Sequence, residues 1–252
     1  MQNKQPFKEN KTPFKTQWQF NLFNEEFMRI QLSQGDCLEL LSDIQDRAID
    51  LILTDPPYGI DYQSSWVKDK SKRFPKILND KKPFIDFIKH IDRILSQKGC
   101  AFIFTRWDVQ QNFINELNAN GLNPKNVIIW DKAVHGMGDL QRSFGSRYES
   151  IIFVSKLEFR FNGKRPTDII QFNRVPASKL THPNEKPVAL LEYLITKCSH
   201  DNDIVLDCFM GSGSTGVACI NTNRRFIGFE LDEHYFSLAK ERIENCKNQI
   251  TK

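Results

Sequence analysis

The sequence predicts an α/β fold with a mainly parallel, doubly wound sheet. Short apolar segments alternate along the chain with segments whose apolar residues recur at helical spacing. The apolar segments are apolar throughout, as expected for strands that are covered by helices on both faces. A glycine-rich segment, Gly211-Ser-Gly213, follows one such strand and opens a helix. Together these observations indicate strand–helix units around one parallel sheet.

Six strands are predicted, at 48–54, 100–105, 126–130, 150–155, 204–207 and 226–230. Helices are predicted at 83–97, 186–200 and 232–247 from the spacing of their apolar residues, the first with Gly99 just beyond its end. Trp107 and Trp130 lie at strand ends, and we expect both to be core residues.

The composition is typical of a globular chain. Of 252 residues, 40% are hydrophobic and 26% are charged, which argues against bulk disorder and allows one substantial core. No apolar segment approaches the roughly 18 residues of a membrane helix, and the N-terminus lacks the apolar core of a signal peptide. The six cysteines form no Cys-x-x-Cys pair, so we expect reduced thiols in a cytosol and no bound metal.

The net charge of +4 is distributed unevenly. Segments 1–24, 59–82 and 156–179 carry +3, +4 and +4, so the rest of the chain carries −7. Basic loops on an acidic body can hold a polyanion through its phosphates; lysines that only face solvent are the alternative. We interpret residues 1–24 as a basic and aromatic arm and residues 25–252 as a single domain.

The loop from Asp207 to Thr215 predicts a nucleotide-type binding site. Gly211 and Gly213 let the main chain turn sharply and let a ligand approach its amide groups. Glu230 ends the next strand, where an acidic side chain can bind ribose hydroxyls. No Lys-Ser/Thr pair follows the glycines, so the loop is not a P-loop. A purely structural turn is the alternative, but the context favours a ligand that contains adenosine.

Asp55-Pro56-Pro57-Tyr58 directly follows the strand 48–54. Ligands of open α/β sheets bind at the carboxyl ends of strands, which makes this turn a candidate catalytic site. The prolines stiffen the turn and hold the Asp55 carboxylate and the Pro56 carbonyl in a fixed relation. Two such acceptors suit an amino group, and Tyr58 offers a flat face to a planar base. A rigid turn with a capping Asp is the alternative.

Several motifs in this order resemble the S-adenosylmethionine-dependent amino methyltransferases of DNA, in the permuted β-class order. The Asp-Pro-Pro-Tyr motif precedes the cofactor motif Phe209-Met-Gly211-Ser-Gly213, as in that family. Gly35-Asp36-Cys37-Leu38, His182-Pro-Asn-Glu-Lys186-Pro and Arg147-Tyr-Glu149 also resemble family segments. The resemblance runs from about Arg29 to Lys247 and leaves residues 1–24 outside.

The resemblance implies a Rossmann-like class I methyltransferase fold, circularly permuted in motif order, with S-adenosylmethionine as cofactor. The acidic residue in the segment around Asp36 is expected at the cofactor adenine, Glu230 at the ribose, and the segment 182–187 near the methionine end. The implied cofactor-binding residues are Asp36, Cys37, Lys186, Asp207, Phe209, Gly211, Ser212, Gly213 and Glu230. The implied catalytic residues are Asp55, Pro56, Pro57 and Tyr58.

The implied reaction is methylation of the N6 amino group of adenine in a base flipped out of DNA. Asp55 and the Pro56 carbonyl would draw the amine toward sp³ geometry, so that its nitrogen can attack a sulfonium methyl group. In the family, Asp at the first motif position favours adenine. Cytosine-N4 methylation, RNA adenine-N6 methylation and a catalytically silent nucleic-acid binder are the alternatives. The sequence has no Pro-Cys dipeptide, which argues against cytosine-C5 chemistry.

Double-stranded DNA is the implied partner, with a homodimer and a cognate restriction enzyme as further candidates and no membrane association. The implied location is the cytoplasm of a prokaryotic cell, including a plasmid or phage host. Loops near 59–82, 131–147 and 157–181 are expected to contact the target. The candidate DNA-binding residues are Lys68, Lys70, Lys72, Arg73, Lys76, Arg142 and Arg147.

Overall fold

The computed structural model describes residues 29–59, 80–136 and 140–250. The arm 1–24 and the candidate DNA-binding residues between Lys68 and Lys76 lie outside these ranges. The strands are β1 (Ile30–Gln34), β2 (Ile49–Thr54), β3 (Leu95–Thr105), β4 (Pro124–Asp131), β5 (Tyr148–Ser155), β6 (Ile169–Gln171), β7 (Ile204–Asp207) and β8 (Arg225–Glu230). The helices are α1 (Cys37–Ser42), α2 (Ile88–Ile94), α3 (Gln110–Ala119), α4 (Val188–Cys198), α5 (Ser214–Asn221) and α6 (Glu233–Ile250).

In the described part of the chain, the strands form one eight-stranded sheet in the order β1-β8-β7-β2-β3-β5-β4-β6. β5 is antiparallel to its neighbours β3 and β4, and the other pairings are parallel. The predicted α/β fold with a mainly parallel sheet is confirmed. Each of the six predicted strands is present, and their bounds differ by a few residues.

Strand β2 illustrates why these strands are apolar throughout. Leu51 and Leu53 belong to the core cluster on one face of the sheet, together with residues of α4, α5 and α6. Ile49 and Ile52 point the other way and pack with residues of α1, α2 and α3. All four side chains are buried, so alternate residues of one strand serve two different cores.

The helix predicted at 83–97 is shorter in the structure. Only Ile88–Ile94 is helical, and the chain is extended from Leu95, where β3 begins. Phe84 and Phe87 have helical spacing but serve another purpose, because both rings pack edge-on against Phe209 at 5.6 and 5.3 Å. The periodicity therefore reflects burial against a neighbouring loop as well as a helix face.

The two tryptophans expected in the core differ in burial. Trp130 is buried, as expected, but the prediction that Trp107 is a core residue is wrong, since its exposed fraction is 69%. Trp107 follows β3 at the edge of the sheet, where the chain turns toward α3 and leaves the ring outside.

The sequence patterns do not predict β1, β6, α1 or α3, which are short or weakly apolar. No helix within the described ranges is long and apolar enough to cross a membrane.

Candidate active site at the carboxyl edge of the sheet

The sheet divides between β7 and β2. These parallel neighbours lie side by side, but the chain continues from β7 to β8 on one side and from β2 to β3 on the other. The loops that leave their carboxyl ends therefore diverge and open a crevice, the usual ligand position in an open α/β sheet. The two loops are the glycine loop after Asp207 and the Asp-Pro-Pro-Tyr turn after Thr54.

A cleft occupies this crevice. Its walls carry most of the residues that the sequence singled out: Asp36, Cys37, Asp55, Pro56, Pro57, Lys186, Asp207, Phe209, Gly211, Ser212 and Glu230. Motifs separated by more than 170 residues of sequence thus meet in one place. Tyr58 and Gly213 are not among the lining residues; Tyr58 is buried, and Gly213 is the N-cap of α5.

An acidic side chain, that of Glu230, accepts a hydrogen bond from the main chain of the glycine loop. Gly211 and Gly213 both have positive φ, +50° and +78°, a conformation that residues with a Cβ rarely adopt. The Gly211 amide donates to Oε2 of Glu230 and the Asp232 amide donates to Oε1, each at 2.9 Å. Burial raises the pKa of Glu230, and these two donors oppose the rise. The Glu230 carboxylate is thereby fixed at the wall of the cleft.

Asp36 and Cys37 form the neighbouring part of the wall, at the start of α1, since the Gly35 amide donates to the Glu230 carbonyl at 2.9 Å. Asp36 is the N-cap of that helix, and its carboxylate accepts a hydrogen bond from the Leu38 amide at 2.8 Å. The Cys37 thiol is buried, and burial together with Asp36 raises its pKa to about 12. The thiol is therefore protonated at neutral pH, and the side chain lines the cleft.

Asp207 lies at the floor of the cleft and is buried. Its carboxylate accepts hydrogen bonds from Thr54 Oγ1 at 3.0 Å, Thr215 Oγ1 at 2.6 Å and the Phe209 amide at 3.1 Å. Burial raises its pKa to about 6, against the lowering effect of these donors. Asp207 thus ties β2, β7 and α5 together at the point where the two loops diverge.

The Asp-Pro-Pro-Tyr turn is fastened on both sides. The Phe84 amide donates to the Pro57 carbonyl at 3.0 Å, and the Gly59 amide donates to Asp80 at 2.6 Å. Gly59 has a φ of +81°, and a Cβ there would lie 2.7 Å from main-chain atoms of Lys82. The chain segments on either side of residues 60–79 are therefore hydrogen-bonded to each other directly beside the turn.

The Asp55 carboxylate has a partner on each oxygen. The Tyr58 phenol donates to Oδ1, and the Lys186 ammonium lies 2.5 Å from Oδ2. Burial raises the pKa of Asp55, and the positive charge of Lys186 opposes that rise. The sequence predicts Lys186 as a cofactor-binding residue; it does line the cleft, but its ammonium group contacts the predicted catalytic carboxylate.

Sequence reasoning missed the surroundings of Lys186. The Glu149 carboxylate lies 3.2 Å from the Lys186 ammonium and, on its other oxygen, 2.5 Å from the Lys132 ammonium. Glu149 belongs to the motif Arg147-Tyr-Glu149, from which no role could be assigned to it, and no signal points to Lys132.

His182 packs edge-on against Tyr235 at 4.4 Å, and burial lowers its pKa to about 4, so the imidazole is neutral at pH 7.

The predicted DNA-binding arginines lie on the exposed side of the same edge. Arg147 makes two hydrogen bonds to Asp131, at 2.6 and 2.7 Å, which lower the pKa of that carboxyl to about 2. Arg142 is exposed in the loop between β4 and β5. The exposed Trp107 ring lies just after the end of β3. Burial raises the pKa of Tyr58, and the positive charge of Arg106, the residue before Trp107, opposes that rise.

The cleft fits a cationic nucleoside better than a polyphosphate. Its walls carry the carboxylates of Asp36, Asp207 and Glu230. The single lysine among the described lining residues, Lys186, is already paired with Asp55. Aromatic rings, including Phe209 and Phe84, complete an apolar wall suited to an adenine ring. S-adenosylmethionine has this chemistry, an adenosine joined to a positively charged sulfonium.

Fold and site together define an S-adenosylmethionine-dependent methyltransferase. The chain belongs to the N6/N4 DNA methylase family, whose pattern matches residues 49–241. It is 28% identical over 237 residues to the type II methyltransferase M.HpaI of Haemophilus parainfluenzae, covering 84% of this chain and 73% of the relative. It is also 28% identical over 250 residues to the DNA adenine methyltransferase YhdJ of Escherichia coli (strain K12), covering 83% and 81%.

A solved structure agrees with these relatives. The M1.HpyAVI–SAM complex superposes with a TM-score of 0.64 at 29% identity, covering 84% of this chain and 99% of the other. The resemblance inferred from the motifs is confirmed at the level of the family, and S-adenosylmethionine is the cofactor of this enzyme class.

Proposed function

We propose that this chain methylates the N6 amino group of adenine at a specific DNA site. The observation that carries the proposal is the position of Asp55, a largely buried carboxylate at the wall of a nucleoside cleft, on a turn stiffened by two prolines. The similarity to a relative named as a DNA adenine methyltransferase supports adenine as the target. Double-stranded DNA is the proposed substrate.

Asp36 and Glu230 are proposed to bind the adenosine part of the cofactor. Both carboxylates are fixed by main-chain amides, so they meet a ligand without losing further side-chain freedom. The glycine loop, with Phe209, Ser212 and Gly213, brings main-chain atoms close to the ligand. Asp207 and Cys37 are proposed to shape the cleft floor and wall. When bound, S-adenosylmethionine supplies an electrophilic methyl group on its sulfonium sulfur.

Asp55 is proposed to accept a hydrogen bond from the target amine through Oδ1, and the Pro56 carbonyl to accept the second one. These contacts draw the nitrogen lone pair out of conjugation with the ring, toward the methyl group. The nitrogen would take the methyl group as the bond to the sulfonium sulfur breaks and the sulfur leaves as a neutral thioether. It would also lose a proton, which Asp55 can accept since burial raises its pKa. The Tyr58 phenol occupies Oδ1 in this structure, so the target amine would replace it there.

The remaining proposals concern organisation. Residues 25–252 are proposed as one methyltransferase domain with the arm 1–24 in front. Loops near 59–82, 131–147 and 157–181, with Arg142 and Arg147, are proposed to contact DNA. A homodimer or a cognate restriction enzyme is proposed as partner.

The test is incubation of the full chain with tritiated S-adenosylmethionine and unmethylated DNA, followed by nucleoside analysis. We expect label in N6-methyladenine. Label only in N4-methylcytosine, only in RNA, or in no substrate while DNA still binds would refute the proposal and indicate one of the alternatives. Asp55→Ala is expected to lower the transfer rate by about 10³-fold, since it removes the acceptor. Its affinity for S-adenosylmethionine should stay near that of the wild type.

A further inference from the structure

A row of four side chains with alternating charge leads away from the proposed catalytic carboxylate. It runs from Asp55 through Lys186 and Glu149 to Lys132, with separations of 2.5, 3.2 and 2.5 Å between the charged atoms. The exposed fractions of these side chains are 16, 8, 19 and 20%, so all four are largely shielded from water. The row has no net charge, which makes its burial tolerable.

Glu149 occupies the centre of this row. It is the second residue of β5 and pairs with Trp130 of β4, so two adjacent strands fix its main chain. Lys132 follows β4 directly, and its ammonium group satisfies Oε1 of Glu149. Oε2 lies 3.2 Å from Lys186 as an ion pair without hydrogen-bond alignment, and no other described polar group donates to it. Glu149 therefore acts on Lys186 mainly through its charge.

The Lys186 ammonium lies between competing acceptors. Three oxygens surround it: Oδ2 of Asp55 at 2.5 Å, Oε2 of Glu149 at 3.2 Å and the Asn184 carbonyl at 3.4 Å. Without the Glu149 charge, the Lys186 ammonium would lose its second carboxylate partner and would be free to shift from Oδ2 of Asp55 toward Oδ1. The target amine needs that oxygen in the reaction proposed above.

We propose that Glu149 is a positioning residue for methyl transfer, which holds Lys186 on Oδ2 of Asp55 and leaves Oδ1 to the target amine. The inference rests on the proposed role of Asp55. Lys132 neutralises Glu149 from the far side and so sets the strength of its hold on Lys186.

The charges make a signed prediction for the pH dependence. Burial and then Glu149 raise the pKa of Asp55, whereas Lys186 lowers it. The titratable groups that face Glu149 are Lys186, Lys132, Asp55 and Tyr58. Removing the Glu149 charge therefore lowers the pKa of Asp55, and the acid limb of the rate moves to lower pH. Removing Lys132 leaves Glu149 less compensated, so the limb moves to higher pH.

The experiment measures single-turnover methyl transfer against pH for Glu149→Gln, Glu149→Asp and Lys132→Met in the full chain, with Glu244→Gln on the exposed face of α6 as a matched control. Melting temperature and S-adenosylmethionine affinity are measured for each variant. For Glu149→Gln we expect a plateau rate reduced by about tenfold or more, as for a reacting group displaced by about 1 Å, with cofactor affinity unchanged. Glu149→Asp keeps the charge and should keep the wild-type acid limb.

Two outcomes would overturn the proposal. One is a Glu149→Gln enzyme with the wild-type rate and pH profile. The other is a loss of rate with an unmoved acid limb, which indicates a purely structural role. If Glu149→Gln does not fold, Lys132→Met decides, and an unmoved limb in that variant overturns the proposal. All rates refer to whichever nucleoside the wild type methylates, so an N4-methylcytosine product would refute the adenine assignment without affecting this comparison.

Discussion

The buried carboxyl of Asp207 makes the stability of this protein depend on pH. Asp207 accepts three hydrogen bonds, from Thr54, Thr215 and the Phe209 amide, yet burial still raises its pKa to about 6. The folded chain therefore holds this proton at pH values where the unfolded chain has released it. Substituting Asp207 by Asn keeps the shape and removes the titration.

The magnitude follows from the two pKa values. Between pH 3.8, the ordinary pKa, and about pH 6, the folded state binds one proton more than the unfolded state. The free energy of unfolding therefore falls as the pH rises through this range. The difference corresponds to about 3 kcal/mol, at about 1.4 kcal/mol per pH unit. The free energy of unfolding of Asp207→Asn, measured relative to that of the wild type, should therefore rise by up to about 3 kcal/mol between pH 4 and pH 7.

The assay is urea denaturation of both proteins, without cofactor, at several pH values between 4 and 7. Asp50 and Glu230 also have raised pKa values, but they are common to both proteins and cancel in the difference. Asp43→Asn, an exposed change at the end of α1, removes a carboxylate outside the cleft lining and is the control. A pH-independent difference between wild type and Asp207→Asn would refute the reasoning.

Three shorter predictions concern other parts of the molecule. Lys186→Met removes the cation that lowers the pKa of Asp55, so the acid limb of the transfer rate should move to higher pH; an unmoved limb contradicts the ion pair. Gly228→Ala places a Cβ 2.6 Å from the Phe226 ring and should cost about 1–3 kcal/mol of stability in a urea titration, whereas wild-type stability would contradict the packing. Neutralising Lys68, Lys70 and the other basic residues up to Lys76 should weaken DNA binding. It should also flatten the dependence of log K on log salt by about 0.9 for each DNA phosphate that the variant no longer neutralises. An unchanged slope would assign these lysines to solvent.

The motifs are readable from sequence because their chemistry is local. Gly211 and Gly213 adopt positive φ within their own loop, and the prolines of the catalytic turn stiffen it without outside help. Continuous apolar strands likewise predict a sheet buried on both faces, which Leu51 and Ile52 confirm by packing into different cores. Local geometry and burial pattern thus suffice for the fold class and for the two loops of the site.

The pairing of charges depends on strand order, which no local pattern contains. The sheet places Glu149 of β5, Lys132 after β4 and Lys186 before α4 within reach of Asp55, although these residues are far apart in sequence. Long-range packing also decides that Phe84 covers Phe209 instead of extending a helix, and that Trp107 faces solvent. Apolar residues prefer to be buried and ionic groups need partners, but only the assembled sheet determines which surface and which partner they meet.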